Sequence, residues 1–231
     1  MKETTMKTIG LIGGTSWTST IDYYRILNEE TAKRLGGLHS ARLLIASIDF
    51  SDLEQAMHAN RWDDAAEILR NAAQCLSRAG ADILLMCSNL IHIMFKAVSN
   101  ASDRPFVHMC DAIAAEIKSQ KISTIALLGA KPTMEEDFYK NRIHEKCGAR
   151  VLIPADEDRD YIDRAIFERM CRNVYTKEDE QRMCSIIYKL KDAGAEGVIL
   201  GCTELPVLIR EASLPLFNST KIHCLNALDL A

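Results

Sequence analysis

Short apolar runs alternate with amphipathic stretches along most of the chain. Residues 8–12 form a continuous apolar run that ends in Gly13 and Gly14, as a buried parallel strand does. Residues 62–79 instead place their apolar side chains on one face, which predicts a helix. Further strands are predicted within 38–48 and at 83–86, 106–108, 124–129, 151–153, 198–200 and 214–217. Further helices are predicted from 16–19 to 34, and at 91–98, 111–119, 132–148, 156–171, 177–193 and 226–231.

One segment of this pattern occurs twice. Ala79 and Ala193, Asp82 and Glu196, and Ser88 and Cys202 are each 114 residues apart. In both copies a turn leads into an apolar run, and the run ends in small polar residues. The strand at 124–129 likewise repeats the one at 8–13, at a separation of 116 residues. The chain therefore contains two related halves.

Strands alternating with helices predict parallel sheets with helices on both faces. We expect an α/β fold of two similar, pseudo-symmetric, doubly wound parallel-sheet domains. The first half comprises 7–117 with 215–231, and the second comprises 118–214. Ligands of such folds bind beyond the carboxyl ends of the strands. Both copies of the repeat place polar residues there, so we expect one active site in the cleft between the two domains.

The composition bears on whether the protein binds nucleic acid, spans a membrane or is secreted. Apolar residues make up 48% of the 231-residue chain, which suits a well-buried core. The formal net charge is −4 and no stripe is dense in Lys and Arg, which argues against nucleic acid. No apolar run is long enough to span a membrane, and residues 1–7 do not resemble a signal peptide. A cytoplasmic protein with reduced thiols is expected.

The sequence offers no strong cofactor or metal motif. None of the eight cysteines forms a Cys-x-x-Cys pair, and the nearest approach to a metal pattern is His108-x-Cys110. The run from Gly10 to Gly14 lacks the spacing of a dinucleotide-binding loop, and a Walker A loop is absent. No cofactor and no metal are therefore expected.

Cys202 and Ser88 are the candidate catalytic residues. Cys202 lies between a strand end and a predicted helix start, where free N–H groups would lower the pKa of its thiol. Ser88 is the equivalent residue of the first half, although a serine there also suits a helix N-cap. Cys87 is the neighbouring thiol, but one residue of slip along a strand reverses the side chain's direction. We expect Cys87 to point away from the site.

Residues next to these two suit the binding of a carboxylate. Asn89 and Thr203 follow Ser88 and Cys202, and each would begin a helix whose N–H groups attract anions. The loop of Gly13, Gly14 and Thr15 ends a neighbouring strand, so it is expected at the same edge of the first sheet.

Taken with these motifs, the chain resembles the aspartate/glutamate racemase family, and most closely its broad-specificity bacterial branch. The resemblance covers nearly the whole length and is carried by residues 9–17, 19–25, 36–40, 87–92, 134–139 and 201–204. It implies two α/β domains, a homodimer, and cofactor-independent chemistry in which two thiols flank the substrate α-carbon. It also implies substrate-binding roles for Thr15, Met57, Asn89, Leu90 and Thr203.

The chain departs from the family's pattern in its first half. The usual run there is Cys-Asn-Thr, whereas this chain has Ser88, Asn89 and Leu90. A serine hydroxyl is a far weaker acid than a thiol, so Ser88 is a poor base. We expect a racemase of aspartate or glutamate that is slow or biased in direction. A single-thiol decarboxylase or cis–trans isomerase, and a non-catalytic binding protein for acidic amino acids, remain alternatives.

Overall fold

The computed structural model describes residues 6–231 and divides them into two compact α/β units. Unit 1 takes the described residues up to His108 together with His223–Ala231, and unit 2 is Met109–Ile222. The sequence-based halves place residues 109–117 and 215–222 in the first half, whereas both stretches belong to unit 2, where the strand at Leu216–Asn218 pairs with the strand at Gly197–Gly201. The helix that begins at Met109 packs instead against the helix at Asp137–Cys147, and both belong to unit 2.

Each unit contains one parallel four-stranded sheet. The strand order is β2-β1-β3-β4 in unit 1 and β6-β5-β7-β8 in unit 2. The predicted α/β class with two parallel sheets of the same topology is therefore confirmed. The strands are β1 (Ile9–Gly13), β2 (Leu43–Ser47), β3 (Ile83–Met86), β4 (Phe106–Val107), β5 (Thr124–Gly129), β6 (Arg150–Leu152), β7 (Gly197–Gly201) and β8 (Leu216–Asn218).

Helices surround both sheets. They are α1 (Trp17–Leu35), α2 (Phe50–His58), α3 (Trp62–Arg78), α4 (Phe95–Ser99), α5 (Met109–Ser119), α6 (Lys131–Glu135), α7 (Asp137–Cys147), α8 (Asp156–Arg164), α9 (Lys177–Asp192), α10 (Leu205–Leu208) and α11 (Ser219–Leu230). Two 3₁₀ segments, Leu90–Met94 and Met170–Arg172, and one π-helical turn, Ala165–Arg169, complete them. Within residues 6–231 no helix has the length and apolar character that crossing a membrane requires.

Several helices differ from the predicted ones. Helix α2 was not predicted, although Asp49 caps it by accepting a hydrogen bond from the backbone N–H of Ser51. The α-helix predicted at 156–171 ends at Arg164, and the chain continues as the π turn at Ala165–Arg169. In a π turn each backbone N–H bonds to the carbonyl five residues earlier instead of four. The helix predicted at 132–148 is broken where Glu136 adopts an extended backbone. Helix α11 begins at Ser219, earlier than the predicted 226.

The two sheets pair their equivalent strands in the same register, so the internal sequence repeat is also a structural repeat. Ile9 pairs with Ile83 in unit 1, and the equivalent Ile125 pairs with Gly197 in unit 2. An acidic side chain binds the start of the central strand in both units. Asp82 accepts a hydrogen bond from the backbone N–H of Thr8 at 2.7 Å, and Glu196 accepts one from Thr124 at 3.0 Å. Both copies of the repeated segment therefore occupy the same place in their own sheets.

A buried polar network ties the last helix into unit 1. The Tyr23 hydroxyl donates to Nδ1 of His223 at 2.8 Å, and Nε2 of His223 donates to the backbone carbonyl of Val107 at 2.8 Å. Burial lowers the pKa of His223 to about 4, so the ring is neutral and both its nitrogens are satisfied. The rings of His92 and His108 lie next to each other, with centroids 4.7 Å apart. Within residues 6–231 no set of three acidic, His or Cys side chains is arranged to hold a metal ion.

Candidate active site

In unit 2 the candidate site lies at the ends of the adjacent strands β5 and β7. Gly129 and Gly201 are the last residues of these strands and pair with each other. Cys202 directly follows Gly201 and keeps part of its surface exposed, whereas Gly201 and Thr203 are buried. Both glycines are needed, since a Cβ added to Gly129 would lie 2.8 Å from the carbonyl oxygen of Gly201. The close strand ends therefore hold Cys202 at the edge of the sheet.

Glu204 is the principal partner of Cys202. The Cys202 thiol donates to Oε2 of Glu204 at 2.9 Å, and the Thr203 hydroxyl donates to the same oxygen at 2.7 Å. Glu204 is only 4% exposed, so this carboxylate is a buried acceptor shared by its two preceding neighbours. Residues 201–204, Gly-Cys-Thr-Glu, are among those that carry the family resemblance, but no role for Glu204 was predicted from the sequence. The Thr203 side chain, predicted to suit a substrate carboxylate, is bound to Glu204.

The expected low pKa of Cys202 is wrong. Burial raises the pKa of this thiol well above its ordinary value, and the neighbouring Glu204 carboxylate and Cys171 thiol raise it further. The helix that follows, α10, has only four residues, so it contributes few aligned peptide dipoles. The resting form of Cys202 is therefore the thiol, hydrogen-bonded to a carboxylate.

Thr133 is a residue of this edge that the sequence analysis missed. Its side chain is fully buried, and its methyl lies 3.3 Å from the position of a Cβ built on Gly129. Among residues 6–231 the Thr133 hydroxyl has no hydrogen-bond partner. A polar atom left without a partner is rare in a protein core, so this buried hydroxyl is an unusual feature of the strand end.

In unit 1 the equivalent strand ends are those of β1 and β3. Cys87 is fully buried, and its backbone N–H donates to the carbonyl of Ile12 at 3.0 Å. Burial raises the pKa of the Cys87 thiol far above its ordinary range. Ser88, by contrast, keeps part of its surface exposed, as Cys202 does. The structure thus places Cys87 in the core and Ser88 at the edge.

The residues after Ser88 form a tight 3₁₀ turn. Asn89 is 2% exposed and precedes the 3₁₀ segment at Leu90–Met94, where an α-helix was predicted. Nδ1 of His92 donates to the backbone carbonyl of Ser88 at 2.8 Å. This hydrogen bond closes the turn on itself, so the buried His92 ring fixes the direction of the chain at Ser88.

The loop after β1 completes the unit 1 edge. Gly14 has a φ of +93°, and its N–H donates to the Thr20 hydroxyl at 2.8 Å. The next residue, Thr15, is 6% exposed, and its hydroxyl has no partner among the described residues. Met57, the other predicted substrate-binding residue of this unit, lies on α2 and packs against the hydrophobic core. Thr15 is therefore placed at the strand ends, whereas Met57 is engaged in core packing.

A family model and the similar solved structures all point to one protein family. A family model described as Asp/Glu/Hydantoin racemase matches residues 12–227. A candidate Asp/Glu racemase from Yersinia pestis is 41% identical, with a TM-score of 0.90 over 97% of this chain and 99% of that one. An aspartate racemase homologue from Pyrococcus horikoshii OT3 is 35% identical, with a TM-score of 0.84 over the same shares of the two chains.

A more distant structure shares the fold. The aspartate racemase of Picrophilus torridus is 21% identical, with a TM-score of 0.79 over 96% of this chain and 94% of that one. The family match covers most of the chain, and two similar structures exceed 30% identity across nearly all of it. The two repeated sheets and the Gly-Cys-Thr-Glu strand end described above therefore belong to a member of the Asp/Glu/hydantoin racemase family.

Proposed function

We propose that the protein is a cofactor-independent racemase of an acidic amino acid, aspartate or glutamate. The observation that carries the proposal is the Cys202 thiol at the end of β7, held 2.9 Å from a buried carboxylate. Support for the substrate class comes from the names of its relatives, which are described as Asp/Glu or aspartate racemases.

The proposed chemistry is a proton transfer at the α-carbon. The Cys202 thiol first loses its proton to solvent, and the resulting thiolate takes the α-proton, so that the C–H bond breaks, an S–H bond forms and the electron pair is delocalised into the substrate carboxylate. A proton delivered to the opposite face of the planar intermediate inverts the centre. We assign that second position to Ser88, because it is the repeat equivalent of Cys202. Thr15, Asn89, Leu90 and Thr203 are the proposed neighbours of the substrate.

The proposal extends to assembly and location. The resemblance to the family supports a homodimer, and the cysteine usage of the sequence supports a reducing, cytoplasmic compartment. The proposed partner is a small-molecule amino acid, with neither nucleic acid nor membrane involved.

The experiment that tests the function is proton NMR of L- and D-aspartate and L- and D-glutamate in D2O. The expected result is enzyme-dependent loss of the α-proton signal of at least one of the four. Loss of that signal distinguishes a racemase from a decarboxylase and from a protein that only binds the amino acid. A lack of exchange with all four would contradict the proposal, and thermal stabilisation by the same compounds would then favour a binding protein.

Ser88→Cys is expected to reduce any difference between the two enantiomers. Because a thiol is a much better proton acceptor than a hydroxyl, the slower enantiomer should gain at least about tenfold in exchange rate. The faster enantiomer should change little. Initial rates of α-proton loss in D2O measure both. Ser99→Cys, which adds a thiol on α4 away from the strand end, is the control, and equal rates in wild type and Ser88→Cys would contradict the assignment of Ser88.

A further inference from the structure

Helix α1 carries a row of exposed apolar side chains. Trp17, Ile21 and Tyr24 lie at positions i, i+4 and i+7, so they share one side of the helix. Their exposed fractions are 63%, 52% and 53%. Single exposed apolar residues are common on protein surfaces, but a contiguous group of them marks a site of interaction. The row is therefore a candidate interaction surface of unit 1.

The row lies on the side of α1 that faces strand β2. Asn28, one turn beyond Tyr24, accepts a hydrogen bond at Oδ1 from the backbone N–H of Ala41, just before β2. From Ala41 to Ile45 the extended chain rises about 13 Å. From Asn28 back to Ile21 the helix spans about 10 Å. Because α1 connects the parallel strands β1 and β2, it runs opposite to β2, and Ile21 lies at about the height of Ile45.

Ile45 extends the row onto the sheet. Both neighbours of Ile45 on β2 pack against the core cluster that contains residues of α3, so Ile45 points to the other face of the sheet. Helix α1 covers that face, since a Cβ on Gly13, the register partner of Ser47, would meet Thr20 of α1. Strand β2 is the edge strand of its sheet, and Ile45 remains 43% exposed. The α1–β2 surface is defined as Trp17, Ile21, Tyr24 and Ile45.

Charges of both signs border the α1–β2 surface. Asp22 and Arg25 directly follow Ile21 and Tyr24, so they lie about 100° around the helix from the row. They form an ion pair at 3.0 Å, and the Arg25 side chain is exposed. A second copy of α1 that runs antiparallel and crosses between Ile21 and Tyr24 places its Asp22 beside Arg25 and its Arg25 beside Asp22. The border is therefore complementary to itself, as a two-fold symmetric interface requires.

We propose that the α1–β2 surface is the interface through which two copies of this chain form a two-fold symmetric homodimer. Its centre is aromatic and aliphatic and its border is charged, which is the usual anatomy of such interfaces. A second copy on this surface also shields the edge strand β2, whose outer side is a template for unwanted strand pairing. The inference deepens the homodimer put forward with the proposed function and rests on that function for the dimer alone, not for the reaction.

Tyr24→Glu is expected to raise the dissociation constant of the dimer by at least about 30-fold, because symmetry brings two carboxylates into an apolar interface centre. Tyr188→Glu on α9 is the matched control, since Tyr188 is 56% exposed and belongs to unit 2. Its dissociation constant should stay within about threefold of wild type. Analytical ultracentrifugation measures the constants, and circular dichroism checks the fold. A wild-type protein that is monomeric at micromolar concentration, or equal constants for the two variants, would overturn the proposal.

Two charge variants test the symmetry of the interface. Arg25→Asp leaves acids at both border positions and Asp22→Arg leaves cations at both, so each variant alone should dimerise at least about tenfold more weakly than wild type. In a mixture of the two, every acid of one copy faces a cation of the other. Native mass spectrometry should then show mainly the heterodimer, which only folded chains can form. A mixture without heterodimers would count against the proposal.

These measurements need no amino acid, so they stand apart from the reaction. A monomeric wild-type protein that exchanges the α-proton in D2O would refute the dimer and leave the racemase standing. A dimer that responds to the variants as expected, without α-proton exchange, would support the interface and refute the racemase.

Discussion

Replacing Cys202 by alanine is expected to slow α-proton exchange by about 10³-fold or more. General acid–base groups contribute about 10²–10⁴-fold to such reactions, and alanine leaves no atom in reach of the α-proton. The loss should affect both enantiomers, because one face needs Cys202 as base and the other needs it as acid. Exchange of aspartate and glutamate in D2O, followed by proton NMR, measures the effect.

Cys87→Ala is the matched control for this experiment. It also removes a thiol at the end of a central strand, but Cys87 is fully buried and points into the core. Its α-proton exchange rate should stay within about threefold of wild type, since no general acid–base group is lost. If Cys87→Ala abolished exchange in a folded protein and Cys202→Ala did not, the assignment of Cys202 would be refuted.

Gly14→Ala is expected to destabilise the protein by about 4 kcal/mol. A non-glycine residue held at positive φ costs about 1–3 kcal/mol, and overpacking adds about 1–3 kcal/mol. Gly14 has a φ of +93°, and a Cβ there would lie 2.1 Å from the carbonyl oxygen of Ile48. That contact is with backbone, which has no alternative rotamer, so the loop carrying Thr15 must move. Urea unfolding followed by circular dichroism measures the free energy.

Gly80→Ala separates the cost of the positive φ from the cost of the contact with Ile48. Gly80 has the same φ of +93°, but no heavy atom lies within 4 Å of a Cβ built on it. Its substitution should cost only the backbone term of about 1–2 kcal/mol. Equal losses for Gly14→Ala and Gly80→Ala would show that the contact with Ile48 carries no cost.

Much of the fold could be predicted from local pattern. The buried run at 8–12 and the apolar face of 62–79 each specify one kind of element, and β1 and α3 formed there. The separation of 114 residues also predicted which residue of each strand end stays at the surface. It identified Ser88, rather than Cys87, as the equivalent of Cys202, and the exposure of the three residues agrees.

What the sequence did not reveal depends on contacts made only after folding. The position of Glu204 beside Cys202 depends on the turn after β7, and the burial that raises the thiol's pKa depends on the packing around it. A motif names the residue types but not the direction of a hydrogen bond. The π turn at Ala165–Arg169 was likewise missed, although Arg169 within it donates to the buried Asp179 at 2.6 Å. The spacing of apolar residues along the sequence does not reveal that one extra residue is inserted into a helical turn.

The hydrogen bond between Tyr23 and His223 joins residues 200 positions apart in the same unit. A ribosome makes the whole of Met109–Ile222 before it adds His223–Ala231. The unit that is continuous in sequence thus has all its residues first, while the unit that was begun first waits for His223–Ala231. Until then Tyr23 and the carbonyl of Val107 lack their shared partner. The order of synthesis and the order of completion are therefore reversed, and the slow, long-range closure belongs to the unit that carries Ser88.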